Sequence, residues 1–225
     1  MAGTAFAQDI NAQAFTLSNA GGWWGDNIKL LSDTNGITTI SMGYGPCCSD
    51  VIDAGPGRSN GDNALQNFNV NTRAGYRVTG FSVSAKLIGS LSVGEHDGER
   101  GEATNRGGFE FTAYQNGTTL LTRRWEQAQL QGTETHLVSG QAVLPSSFSL
   151  DILAWQSAYA QGALYYTCNP ASCSEHWATS SASLKVTDLV LTVQTAPVPE
   201  PETYAMLLGG LAITAFVARR RQRKA

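Results

Sequence analysis

An all-β fold, an antiparallel β-sandwich of jelly-roll type, is what this sequence predicts, followed by a Pro-rich linker and one C-terminal transmembrane helix. Three observations predict the sandwich. Between residues 14 and 194, short runs of alternating apolar and polar residues are separated by Gly, Asn, Asp and Ser, the pattern of strands buried on one face. No amphipathic helical pattern of similar length competes with it. Apolar residues make up 42%, enough for a packed core, and the 24 glycines supply turns. Charged residues are 15%, below the roughly 25% usual in globular proteins.

Taken along the chain, residues 36–44 form the first strand candidate. Tyr76 and Val78 then alternate up to Gly80, where the phase changes and continues as Phe81, Val83, Ala85 and Leu87; a glycine at a phase change predicts a β-bulge. Phe109 to Gln115, Asn116-Gly117 and Thr118 to Trp125 form the clearest hairpin, because both positions of an Asn-Gly type I′ turn tolerate positive φ. That register sets Gln115 opposite Thr118 and Glu110 opposite Arg123, with Phe109, Phe111, Ala113 and Leu120 on the core face. Residues 136–144 and 163–167 are shorter candidates. Phe148, Leu150, Ile152 and Ala154 alternate with Ser149, Asp151 and Leu153, and Leu184, Val186, Leu189, Leu191 and Val193 form the last strand, with a second phase change. No internal repeat or break divides residues 14–194, which are read as one ectodomain.

Several side chains in it are candidates for chemistry. Trp23 and Trp24, beside Gly-Asp-Asn, suit stacking on the C–H faces of a glycan; the plainer reading of any tryptophan is core packing. Residues 94–102 gather acids from Glu95 to Glu102, which suggests calcium, but their spacing departs from a calcium loop and a solvated loop with Glu–Arg pairing accounts for them. No other cofactor is expected. Four cysteines favour disulfides in an exported chain: Cys168–Cys173 is the most economical pair, and Cys47 and Cys48 either bridge each other or reach across to the later pair. Cys168, Cys173 and His176 lack the paired spacing of a zinc site. No Gly-x-Ser-x-Gly elbow or His-Glu-x-x-His motif is present, although the paired carboxylates of a glycoside hydrolase leave no local signature.

The two ends carry targeting information. Ala5-Phe6-Ala7 before Gln8 has the small-residue spacing that closes a secretory signal peptide, so residues 1–13 are read as a signal-peptide remnant and lead-in. Residues 195–203 are proline-rich, which removes amide donors and stiffens the backbone into a linker. Residues 204–218 hold no charge and suit a membrane helix; Arg219, Arg220 and Arg221 open the basic stretch 219–225, a stop-transfer signal that keeps that end cytoplasmic. Five of the fifteen basic residues lie in that stretch, which leaves ten against eighteen acidic residues upstream, a net of −8. An ectodomain of that charge lacks the basic footprint of a nucleic-acid binder.

Val198-Pro199-Glu200-Pro201, the short apolar run and the Arg-rich end together resemble the PEP-CTERM sorting signal of Gram-negative bacteria. The resemblance covers residues 198–225 alone. It implies recognition of Pro199, Glu200 and Pro201 by an exosortase, retention at the inner membrane, cleavage near the motif, and delivery to the cell surface or exopolysaccharide matrix. On that reading the three residues are a substrate for another enzyme. The expectation for the ectodomain is a non-enzymatic envelope or matrix protein, structural or polysaccharide-binding, and the rival is a secreted glycan hydrolase on the same scaffold.

Overall fold

A computed structural model describes residues 9–22, 28–43, 49–53 and 55–198, together with Leu211 and Thr214 in the tail. Among them the chain forms β1 (Ile10–Asn11), β2 (Phe15–Gly22), β3 (Lys29–Thr34), β4 (Ile37–Ser41), β5 (Ser49–Asp53), β6 (Arg58–Thr72), β7 (Tyr76–Ser92), β8 (Glu95–His96) and β9 (Glu99–Arg100). The series continues with β10 (Glu102–Gln115), β11 (Thr118–Ala128), β12 (Gly132–Gln141), β13 (Ser147–Gln161), β14 (Ala163–Asn169), β15 (Ser172–Ala178) and β16 (Ser180–Pro197). One antiparallel sheet has the order β1–β2–β6–β13–β10–β11; the other runs β12–β7–β16–β4–β3, with β5 also pairing β16. The chain crosses directly from one sheet to the other after β2, β5, β6, β11 and β12, and by way of the two hairpins between β7 and β10 and between β13 and β16, so both layers are assembled from strands distant in sequence. Two short hairpins, β8–β9 and β14–β15, stand apart from both sheets.

The expected alternation supplies the core. Phe148, Leu150, Ile152 and Ala154 are buried on β13, as are Val78, Phe81, Val83, Ala85 and Leu87 on β7. Phe81 packs edge-on against Phe111 and Phe148 of the facing sheet, with ring centroids 6.0 Å and 5.9 Å apart. Toward the other end the core changes character and becomes a cluster of Val51, Ala103, Ala158, Ala160 and Ala182. Small side chains let the layers approach there, and a Cβ on Gly107 of β10 would lie 2.5 Å from Leu184 of the opposite sheet. Between the two clusters, buried amides tie the sheets together. Asn105 on β10 donates to the carbonyls of Leu130 and Ser183 and accepts from the Leu130 N–H; Gln156 on β13 accepts from the Val186 N–H at 2.8 Å.

Both expected phase changes are bulges. Gln194 pairs with Gly80 but Thr195 pairs with Val78, so Thr79 is the extra residue. The second lies in β16, where Thr187 faces Lys86 and Val190 faces Ser84, with Asp188 at φ 52°. The clear hairpin needs a correction. Asn116 and Gly117 make the expected turn at φ 51° and 78°, and Gln115 faces Thr118, but β11 carries a bulge at Leu120. Ala113 therefore pairs with Leu121, Glu110 with Arg124 and Phe111 with Arg123. One inserted residue exchanges the faces: Leu121 is buried and Leu120 is exposed, the reverse of the expected placement.

The sandwich also extends beyond the span 14–194. Ile10 and Ala12 are buried in the main core, and β16 continues through Pro197 into the stretch read as linker. Phe81→Ala is expected to lower unfolding stability by about 3–5 kcal/mol in a denaturant titration, because it removes the ring that engages both layers.

Candidate functional site

One end of the outer face of the β1–β2–β6–β13–β10–β11 sheet carries neutral polar side chains in register. Strand alternation that buries Phe68 and Val70 of β6 turns Asn67, Asn69 and Asn71 outward. Ser18, Asn69, Ser149 and Tyr114 are successive partners across β2, β6, β13 and β10, and Thr16, Asn71 and Ser147 form the row beside them. These rows line an open groove of about 370 Å³ whose walls are Ser18, Asn69, Asn71, Tyr114, Gln115, Asn116, Ser147, Phe148 and Ser149.

Asp151 borders the groove through Tyr114. Its carboxylate accepts from the Asn67 amide at 2.7 Å and from the Tyr114 hydroxyl at 3.1 Å. Burial first, then the charge and hydrogen bond of Asp151, push the Tyr114 phenol above its ordinary ionisation range. Gln115 donates to the Ser147 carbonyl at 2.6 Å, which fixes the rim. None of the described residues lining the groove is a carboxylate, and Asp151 meets that lining through Tyr114. Amides and hydroxyls both donate and accept, so this lining matches a ligand whose own groups do the same.

Farther along the same face, Arg124 sits 4.4 Å from the centroid of the Trp155 ring. Arg124 also pairs with Glu126 at 2.6 Å and reaches Glu110 at 3.8 Å, while Arg106 pairs with Glu126 as well. Hydrogen bonds from Arg124 and then Arg106 hold the Glu126 carboxyl below its ordinary value. Trp125 stacks on His136 at 3.8 Å, and the Trp177 indole donates to Glu175 at 2.9 Å.

The expected site residues are distributed unevenly. Cys168 and Cys173 form the anticipated disulfide, which staples the tip of the β14–β15 hairpin. His176 hydrogen-bonds Thr167 at 2.7 Å on that hairpin. Residues 94–102 are not an irregular loop: Asp97-Gly98 turns β8 into β9, with φ values of 51° and 87°, and Arg100 lies 3.3 Å from Glu95. Among the described residues no group of three or more His, Cys, Asp or Glu could hold a metal ion. Trp23, Trp24, Cys47, Cys48, Pro199, Glu200, Pro201, Arg219, Arg220 and Arg221 lie outside the described residues, as does almost all of the span 204–218. No helix among the described residues is long and apolar enough to cross a membrane.

Sequence reasoning missed the groove. Its one local signal is Asn67-Phe68-Asn69-Val70-Asn71, three amides at alternate positions of a strand. The partners of those amides come from strands distant in sequence.

The last strand leads straight to the tail. The Val198 N–H donates to the Gly75 carbonyl at 2.8 Å, and Pro199 follows in the sequence. Residues 197–222 match the model of the PEP-CTERM protein-sorting motif. The match marks a sorted, exported chain that is processed at a membrane, and it implies an exosortase as the processing enzyme. No curated protein matches the chain. Among solved structures, the cryo-EM structure of broad bean stain virus aligns at 15% identity over 70% of this chain and 94% of that one, with a TM-score of 0.23. An overlap of that quality carries no argument about this PEP-CTERM-tailed sandwich.

The Tyr114–Asp151 contact is open to direct titration. One phenol should ionise above the ordinary tyrosine range in an ultraviolet pH titration, and Asp151→Asn should lower it. Because the folded state holds that proton more tightly than the unfolded chain, the contact makes stability fall as pH rises through and beyond about 10.

Proposed function

We propose that the sandwich is the ectodomain of a non-enzymatic envelope or exopolysaccharide-matrix protein, held at the inner membrane by its tail until an exosortase processes it, and that its polar groove binds polysaccharide. The observation that carries this reading is the register of Ser18, Asn69, Ser149 and Tyr114 across four strands, which presents neutral donors and acceptors along a groove rather than around a closed pocket. A chain ligand can run along such a groove, its hydroxyls meeting amides and hydroxyls, with the Tyr114 ring offering a surface for sugar C–H groups. The negative charge of the chain upstream of residue 219 favours a neutral polysaccharide over a strongly acidic one.

Affinity electrophoresis through gels containing the host's exopolysaccharide tests the proposal, with an unrelated neutral glycan as reference. The parent ectodomain should be retarded by the host polymer. Asn69→Ala and Asn71→Ala should each weaken retention about 5-fold, the effect of losing one hydrogen bond worth about 1 kcal/mol. Equal mobility of parent and variants in every gel would overturn the groove assignment.

A further inference from the structure

The matched sorting motif and the folded sandwich overlap. The match begins at Pro197, which is the last residue of β16 and faces Tyr76 across the sheet. Ala196 faces Arg77 and Thr195 faces Val78. On its other side the Thr195 N–H donates to the Gly36 carbonyl at 2.7 Å, and its hydroxyl reaches the same oxygen at 3.2 Å. Gly36 can come this close because it has no side chain: a Cβ there would lie 2.6 Å from the Thr195 carbonyl, and its φ of 74° suits glycine. The Val198 N–H is bonded to Gly75. The sandwich thus holds the backbone on both flanks at Thr195 and on the β7 side up to Val198, the residue before Pro199-Glu200-Pro201.

An enzyme that cuts a peptide chain takes several extended residues on each side of the bond into its cleft, and it needs their backbone groups unpaired. Residues 195–198 are paired. They are also the part of β16 best suited to open. The Thr79 bulge separates them from the strand behind, Pro197 donates no hydrogen bond, and Pro197 and Val198 are exposed. We infer that residues 195–198 form a latch: they must peel away from β7 and from Gly36 before the exosortase can engage the motif, so the folded end of the sandwich sets the rate of processing. The inference rests on the exosortase reading of the tail. It makes cleavage follow the population of the opened end rather than the abundance of the motif.

The test fixes the latch shut. Ala196 and Arg77 are facing residues with side chains outside the core, so Ala196→Cys with Arg77→Cys places two thiols across one antiparallel pair, at a spacing a disulfide spans. The full chain would be expressed in a host with the exosortase, and the appearance of the shortened form followed by pulse-chase and intact mass. A second version of the cross-linked chain carries eight Gly and Ser residues inserted between Val198 and Pro199. At least 10-fold slower processing of the cross-linked chain, with the parent rate restored by the spacer, is the expected result. Processing of the cross-linked chain at the parent rate would overturn the latch. Slow processing of both cross-linked chains would also overturn it, because the defect would then lie in folding or export. If the parent chain itself is unprocessed with the enzyme present, the exosortase reading fails instead, and the parent in an enzyme-free host is the reference for that outcome.

Discussion

The structure depends on the burial of one long strand between partners on every side. β16 pairs with β7 along almost its full length, while β5 and β4 share its opposite edge. Its inward residues enter both cores: Ala182 packs in the alanine cluster, and Leu184, Val186, Leu189, Leu191 and Val193 pack in the main one. The facing sheet reaches it with polar groups as well, through Asn105 to the Ser183 carbonyl and Gln156 to the Val186 N–H. A buried backbone group left unpaired costs about 1–3 kcal/mol, so these amides also help define one alignment of the layers. Since β16 is the last strand among the described residues, neither core is complete until the chain has been laid down to the edge of the sorting motif.

That arrangement brings the polar groove and the start of the sorting motif to one end of the molecule. The end of β6 that carries Asn71 runs through Thr72, which bonds Ser146, into the turn containing Gly75, which bonds Val198. The polar groove therefore borders the end from which the tail leaves. The disulfide-stapled β14–β15 hairpin belongs to the opposite end, immediately before β16 begins at Ser180. A protein held by its tail would present the groove near the membrane and the hairpin away from it.

Much of the fold was legible because burial on one face writes itself as alternation. β7, β13 and β16 could be read residue by residue, and Gly80 announced its bulge. The hairpin register could not be read fully, because nothing local distinguishes Leu120 from Leu121 as the residue that faces inward; Ala113 and the facing sheet decide it. β6 was not read at all: its first half, from Arg58 to Asn63, buries almost nothing and is held by pairing with β13. Residues 36–44 were read as a strand, which the structure narrows to β4, whereas β8 and β9 on either side of Asp97-Gly98 are too short and too polar to stand out. The groove was hidden for a different reason: Ser18, Asn69, Tyr114 and Ser149 meet only through the strand order. Pro-Glu-Pro, by contrast, is a linear signal that another protein reads, so sequence alone sufficed.

On the proposed function, a folded sandwich is exported and then separated from its tail. Intact-mass analysis of membrane and released fractions, from hosts with and without the exosortase, tests it most directly. The expected result is a released form whose mass ends beyond Val198, found only when the enzyme is present, and a full-length membrane-bound form otherwise. A single full-length form in the membrane of both hosts would contradict it.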